Sequence, residues 1–277
     1  MTAPAFEVWG DPIDHSLSPA LHRAAYAHLG WDWTYDRRRV TESEFAPTLA
    51  GLSAHHRGLS VTFPLKGAAF AASTRRDRRA ELTGAVNTLL LTHGGPVGHN
   101  TDVGGIVNDL ADHGIDRVDA ARIVGAGATA TSAVVAAAEI GVTRLDVVAR
   151  RPEAAAPLVR LGTSLGLEVT STPMDVAAFR PAQLTIATLP GGAAVPRAAA
   201  EALATDGGLL YDVVYGHWPT DLAAAWTDAG ATAVQGQGML LRQAVLQIRL
   251  FATGDLDEPL PDEESVVDVM RRALVGG

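Results

Sequence analysis

The run Arg122-Ile123-Val124-Gly125-Ala126-Gly127-Ala128-Thr129-Ala130 constrains this chain more than any other stretch: an apolar strand turns through two glycines into the alanine-rich, helix-forming segment Thr131 to Ile140. A strand that passes so sharply into a helix opens a βαβ unit, and βαβ units build parallel sheets. Gly125 permits the tight turn, Gly127 lets the backbone approach a pyrophosphate, and Ala130 is small enough for the helix to pack on its strand. The helix N-terminus then presents free N–H groups to an anion. This is the build of a dinucleotide-phosphate site. Taken alone in a chain with 28 glycines, the same letters also fit a plain strand-turn-helix, so the surroundings must decide.

The next strand, Leu145 to Ala149, ends in Arg150-Arg151. An NAD site would place an acidic residue at that tip to hold the ribose 2′-hydroxyl. A guanidinium fork suits the extra 2′-phosphate of NADP instead, because it is planar, always charged and matches phosphate oxygens. Arg150 is read as the phosphate ligand; Arg151, taken alone, is better read as capping a strand end in solvent.

From this unit onward the pattern repeats. Strands are expected at Leu167–Thr170, Leu184–Ala187, Leu209–Val214 and Ala231–Val234, with helices between them, which implies a doubly wound parallel sheet. Upstream, strands are expected at Phe6–Gly10, Trp33–Arg37 and Gly58–Thr62, and a hairpin joins Ala85–Thr92 to Val97–Asn100. Ser18 reads as an N-cap with Pro19 behind it and Gly30 as the left-handed stop, and Thr41 with Glu44 reads as a capping box. At 277 residues the chain exceeds one ordinary domain. The fold expected is α/β with two domains: an N-terminal α/β substrate domain over 1–103 and a Rossmann-type dinucleotide domain over 104–237. The helices of 238–277 are expected to pack back on the first.

A formal charge of −9 removes nucleic acid as a partner, since no basic tract could neutralise a strand of phosphates. Arg75 to Arg79, interrupted by Asp77, reads as a solvated helix face. The absence of cysteine excludes disulfides, thiolate catalysis and thiolate-bound zinc together, and the histidines lack metal-ligand spacing, so no metal is expected. No apolar run is long enough to span a bilayer. The expectation is a cytoplasmic protein, monomer or homodimer, whose partner is a small molecule.

Several polar residues stand at strand and helix ends. Ser16 and Ser18 lie in the loop Asp11–Pro19 that leaves the first strand, where hydroxyls can donate to a carboxylate; capping competes as the explanation of Ser18. Lys66 follows Pro64 at the end of an apolar strand, an odd place for a residue that usually lies on an exposed helix face. Asp102 starts a helix, where N-capping alone would explain it. With Asn87 and Asn100 they form a polar set suited to a polyhydroxylated substrate. Gly162-Thr163-Ser164-Leu165-Gly166 matches the G-x-S-x-G of serine hydrolases, but there the strand must precede the serine, and here a helix does.

With these residues assembled, the chain resembles the shikimate dehydrogenase family along nearly its whole length. The likeness runs through Gly10-Asp11-Pro12-Ile13-Asp14-His15-Ser16-Leu17-Ser18-Pro19, Val61-Thr62-Phe63-Pro64-Leu65-Lys66, Gly84-Ala85-Val86-Asn87-Thr88 and Gly98-His99-Asn100-Thr101-Asp102. It resumes in the Gly turn, in Tyr211-Asp212-Val213-Val214-Tyr215 and in Gly238-Met239-Leu240-Leu241-Arg242-Gln243. The resemblance implies NADPH-dependent, reversible reduction of 3-dehydroshikimate to shikimate. It implies that Ser16, Ser18 and Thr62 hold the substrate carboxylate, that Asn87, Asp102 and Gln243 hold its ring oxygens, and that Tyr215 lies near the carboxylate and the nicotinamide end. Lys66 would be the acid–base residue with Asp102 as its partner. Gly125, Ala126, Gly127, Ala128, Thr129, Arg150, Arg151, Thr188, Val213 and Gly236 would hold NADP(H), Thr188 in the loop near the nicotinamide.

Three departures stand out. Ser60 replaces the family's usual Asn, Ala128 its usual Gly, and Ala149-Arg150-Arg151 its usual Asn-Arg-Thr, which keeps a charged phosphate ligand and loses an amide. Thr188-Leu189-Pro190-Gly191-Gly192 matches the family's nicotinamide loop loosely. Two rival readings stay open: a quinate/shikimate dehydrogenase of relaxed substrate or NAD use, and a non-catalytic NADP-binding regulator on the same scaffold.

Overall fold

Two six-stranded sheets organise the computed structural model, which describes residues 3–275. Each sheet belongs to its own compact unit. One unit is formed by the chain up to Gly105 together with the chain from Leu240 on, the other by Ile106–Met239.

In the first unit, β1 (Ala5–Gly10), α1 (Ser18–Leu29), β2 (Thr34–Arg39), α2 (Phe45–Ala50) and β3 (His56–Val61) alternate. They are followed by α3 (Lys66–Ala72), β4 (Arg75–Arg76), α4 (Arg78–Thr83), β5 (Thr88–Thr92) and β6 (Gly95–His99). The strand order is β2-β1-β3-β5-β6-β4, with β1 parallel to both β2 and β3, and β5 antiparallel to both β3 and β6. Strand alternation sends β1 side chains to two cores. Phe6 and Val8 join Leu21, Tyr26, Ile248 and Phe251, whereas Trp9 packs with Phe45, Leu59, Leu65 and Leu89 on the other face. Each such fully buried apolar side chain is worth about 2 kcal/mol. The helix crossing the first face approaches β3 so closely that a Cβ on Gly58 would run into the Phe251 ring.

Two local expectations are corrected by the structure. Arg75 to Arg79 is not one helix face: Arg75–Arg76 pair with β6, Asp77 caps α4 by accepting from the Ala80 N–H, and the Arg76 guanidinium lies 4.1 Å from the Phe70 ring centroid. Thr41 does not cap a helix through its oxygen. Its hydroxyl donates to Glu44 Oε2 at 2.7 Å, and α2 begins only at Phe45.

The helices α5 (Thr101–Asp112) and α10 (Gln237–Thr253) are each cut by the boundary between units, and α11 (Glu263–Val275) closes the chain. Between them the second unit runs β7 (Ala120–Val124), α6 (Ala128–Glu139), β8 (Arg144–Ala149), α7 (Ala156–Ser164), β9 (Glu168–Pro173), β10 (Leu184–Ala187), α8 (Arg197–Ala204), β11 (Leu209–Asp212), α9 (Asp221–Asp228) and β12 (Ala233–Gln235). The order β12-β11-β10-β7-β8-β9 is parallel throughout. The winding reverses on either side of β7, which makes the end of that strand the switch point where open α/β sheets receive ligands. The hydrolase-like motif is structural. Ser164 ends α7 with its hydroxyl on the Leu161 carbonyl at 2.7 Å, and Gly166 takes the positive φ of the helix stop.

Candidate active site

The loop after β1 carries Ser16 and Ser18. It is tied to the edge strand β2 by Arg39, whose Nε donates to Asp11 Oδ1 at 2.7 Å, and by Arg37, which donates to the Asp14 carbonyl. Ser18 is not the N-cap expected of it. Leu17 holds that position without a side-chain bond, Ser18 is the first helical residue and is buried, and its N–H donates to Ser16 Oγ at 3.4 Å. Pro19 and Gly30 behave as read, Gly30 closing α1 at φ 68°. Burial pushes the Tyr35 phenol well above its ordinary range, so it remains a proton donor.

Lys66 opens α3 where Pro64 has ended the preceding strand. Its Nζ donates to Asp102 Oδ2 at 2.5 Å, and the two side chains are only 18% and 9% exposed. Asp102 is not the N-cap of α5: Asn100 is, its Oδ1 accepting from the N–H groups of Asp102 at 3.0 Å and Val103 at 3.4 Å. The capping explanation for Asp102 is thereby transferred to Asn100. Asp102 sits in the first helical turn, where the helix dipole favours a carboxylate. Its second oxygen accepts from Asn87 Nδ2 at 2.8 Å.

Asn87 is buried and its amide orientation is fixed, because the Thr101 backbone N–H can only donate and reaches Asn87 Oδ1 at 2.8 Å. Gln243, on α10, donates to the Leu240 carbonyl at 2.9 Å and accepts from Thr101 Oγ1 at 3.4 Å. Thr62 is half-buried just past β3, its N–H on the Trp9 carbonyl at 2.9 Å. Lys66, Asn87, Asp102 and Gln243 are thus joined through Thr101 in one hydrogen-bonded cluster of the first unit. Thr88, Thr101, Tyr35 and Gln247 belong to the same network and were not singled out from the sequence. Only Gln247 left a signal, a second glutamine one helical turn after Gln243 on an otherwise apolar helix face.

In the second unit, Gly125 adopts φ 120°, and a Cβ there would stand 2.5 Å from Thr188 Oγ1, so no other residue fits. Thr188 is held at that spot by its hydroxyl and N–H, both on the Val124 carbonyl, at 3.1 and 2.8 Å. Gly127 is the N-cap of α6, its backbone so open that a Cβ there would meet nothing within 4 Å, and Ala128 begins the helix beside Thr129. Ala126 is half-buried between the two glycines. The N-terminus of a twelve-residue helix therefore lies bare at the switch point. Arg150 and Arg151 are exposed at the tip of β8, and a cleft of about 600 Å³ lined by Met174, Val176, Ala177, Pro196 and Ala199 adjoins Arg150. A second cleft of about 480 Å³ lies among Leu189, Asp212, Val214, Trp218 and Thr220. Val213 donates its N–H to the Ala187 carbonyl at 3.0 Å, Gly236 packs so tightly on the Val213 backbone that a side chain would collide with it, and Tyr215 is half-buried in the loop after β11. Open glycine backbone, a free helix end and two guanidinium groups at a strand tip form a donor set that fits a 2′-phosphorylated dinucleotide. No group of metal-ligating side chains occurs among the described residues.

Residues 8–89 match the sequence family described as the shikimate dehydrogenase substrate binding domain. A curated NADP(+) shikimate dehydrogenase of Synechococcus sp. (strain JA-3-3Ab) is 34% identical over 275 residues, an alignment covering 95% of this chain and 90% of that protein. The crystal structure of Mycobacterium tuberculosis shikimate dehydrogenase superposes with a TM-score of 0.86 at 38% identity, covering 99% of this chain and 100% of that one. A Thermus thermophilus shikimate 5-dehydrogenase, solved in complex with NADP(H) and shikimate, gives a TM-score of 0.81 at 30% identity over 98% of this chain and 99% of its own.

Proposed function

Since the chain belongs to the shikimate dehydrogenase family, we propose that it reduces the ring ketone of 3-dehydroshikimate reversibly to shikimate, using NADPH. The observation that carries this reading is the Lys66–Asp102 contact of 2.5 Å. It sets an ammonium and a carboxylate side by side at the starts of two helices, beside the buried amide of Asn87.

NADPH, when bound, supplies the hydride. Gly125 to Thr129 would hold its pyrophosphate, Arg150 with Arg151 its 2′-phosphate, Thr188 its nicotinamide end, and Val213 and Gly236 would contribute further cofactor contacts. Ser16, Ser18 and Thr62 donate to the substrate carboxylate, and Tyr215 is assigned as a further substrate ligand. Asn87, Asp102 and Gln243 hold the ring oxygens. As the carbonyl becomes an alkoxide, Lys66 stabilises the charge and delivers a proton from Nζ. Asp102 keeps that ammonium in place and accepts from a neighbouring hydroxyl. In the oxidation direction the same nitrogen takes the proton back.

The test is a cofactor-oxidation assay with 3-dehydroshikimate and 3-dehydroquinate, each with NADPH and with NADH. Turnover is expected with the first ketone and NADPH. No turnover of 3-dehydroshikimate with either cofactor overturns the assignment. Equal rates with NADH overturn the role given to Arg150, and comparable turnover of 3-dehydroquinate makes the enzyme a quinate/shikimate dehydrogenase.

A further inference from the structure

A directional hydrogen-bond chain runs through the first unit from Tyr35 on β2 to the acid–base pair. Tyr35 donates to Ser60 Oγ at 2.6 Å. Ser60 donates to Gln247 Oε1 at 2.8 Å. Gln247 Nε2 donates to Thr88 Oγ1 at 3.1 Å, and Thr88 donates to Asn87 Oδ1 at 2.9 Å. Asn87 Nδ2 then donates to Asp102 Oδ1 at 2.8 Å, across the carboxylate from Lys66. Every proton in the chain points the same way.

The polarity is fixed at both amides. Gln247 Nε2 also lies 3.4 Å from the Asn87 carbonyl, which can only accept, so its nitrogen must face β5 and its oxygen must face Ser60 and the His22 ring. The Thr101 N–H fixes Asn87 in the same manner. Tyr35, Ser60, Thr88, Asn87 and Gln247 are all buried, so water cannot replace a lost link without cost. Ser60, which departs from the family's usual residue, is one of the links.

We propose that Gln247 and Thr88 are positioning residues for the reaction: they brace the Asn87 amide in the orientation that the Thr101 N–H gives it, so that it donates squarely to Asp102, and so hold the carboxylate that holds Lys66. This rests on the proposed dehydrogenase activity, which the unsubstituted enzyme tests separately. Removing one neutral link weakens the reacting geometry by about one hydrogen bond, which corresponds to roughly a fivefold to tenfold change in rate.

The decisive substitutions are Thr88→Val, which keeps the shape and loses the hydroxyl, Thr88→Ser, which restores it, and Gln247→Met. The expected result is that Thr88→Val and Gln247→Met lower kcat about fivefold to tenfold while the KM for NADPH stays within about twofold, and that Thr88→Ser recovers most of the loss. In an Asn87→Ala background the Thr88→Val effect should vanish, which a merely structural role would not produce. Nitrogen-15 NMR of the Asn87 side-chain amide, recorded without substrate, reads the same chain independently of activity: its exchange should accelerate in Thr88→Val and return in Thr88→Ser. Unchanged kcat in folded Thr88→Val, a loss that persists undiminished without Asn87, or an Asn87 amide indifferent to Thr88 would each overturn the proposal. If the unsubstituted enzyme leaves 3-dehydroshikimate unreduced, the functional reading falls, and the amide exchange still decides the relay.

Discussion

Replacing Lys66 by methionine removes an ammonium while keeping most of the side-chain volume at the start of α3. The structure sets the size of the effect through three contributions. First, the proton donor to the developing alkoxide is lost, which by itself lowers the rate about 10² to 10⁴-fold. Second, Asp102 loses the cation 2.5 Å from Oδ2 and keeps Asn87 as its donor, so a carboxylate now stands uncompensated where negative charge develops. This makes the single substitution worse than removal of the pair. Third, the remaining carboxylate sits in the first turn of α5, where the helix dipole supports it, so the fold survives the change. The expected outcome is a fall in kcat for 3-dehydroshikimate reduction of about 10³-fold, or about 4 kcal/mol. NADPH affinity, measured by fluorescence titration, should stay within about twofold, because the phosphate and ribose ligands lie on other elements. The Lys66→Met, Asp102→Asn double variant should be less impaired than the product of the two single losses. A Lys66→Met enzyme with kcat within about threefold of the unsubstituted rate would refute the assignment of Lys66 as the acid.

Three further outcomes follow from the geometry. Arg150→Ala should weaken NADPH by about 10 to 100-fold in a titration and leave NADH nearly unchanged, since a charged phosphate contact is worth about 1.5 to 3 kcal/mol; equal losses would mean that the 2′-phosphate is read elsewhere. Gly125→Ala forces a methyl against Thr188 in a backbone region that L side chains avoid, so it should lower both the melting temperature and NADPH affinity, and a variant with unaltered cofactor binding would contradict the tight-turn reading. Burial lowers the His22 pKa from 6.5 to about 3, a shift that its bond to Gln247 only partly opposes. The folded state therefore holds this ring neutral while the unfolded chain takes up a proton, so stability is intact above the unfolded value and falls as pH drops below it, by about tenfold in the folding constant per pH unit. Urea midpoints at about pH 7 and pH 5 measure this, and a His22→Phe variant should have a flatter profile over that interval.

What the sequence disclosed were features whose cause is local. The Gly125 turn, the left-handed stop at Gly30, the basic tip of β8 and the strand–helix alternation each depend on a few neighbouring residues, and the two sheets follow from them. The hidden part depends on partners far along the chain. Asp102 reads as a helix starter and Asn100 as the end of a strand, and only the structure gives the cap to Asn100 and leaves Asp102 for Lys66. Ser18 looks like a cap because Ser-Pro usually is one, yet it falls inside the first turn, with Leu17 in the cap position. Thr88 is an ordinary strand letter in apolar surroundings, and Gln247 shows only its helical spacing from Gln243; both acquire meaning when β5 and α10 meet. Arg75 to Arg79 misread because a two-residue strand carries no periodicity, so a capped helix and an edge pairing merged into one charged run.

The most direct measurement follows the hydride itself. With NADPH carrying deuterium at the transferred position, 3-dehydroshikimate should become shikimate labelled on the carbon that bore the carbonyl, one deuterium per NADPH oxidised, and Lys66→Met should slow the transfer without changing where the label lands. Shikimate formed without the label, or NADPH oxidised with no labelled product, would contradict the account.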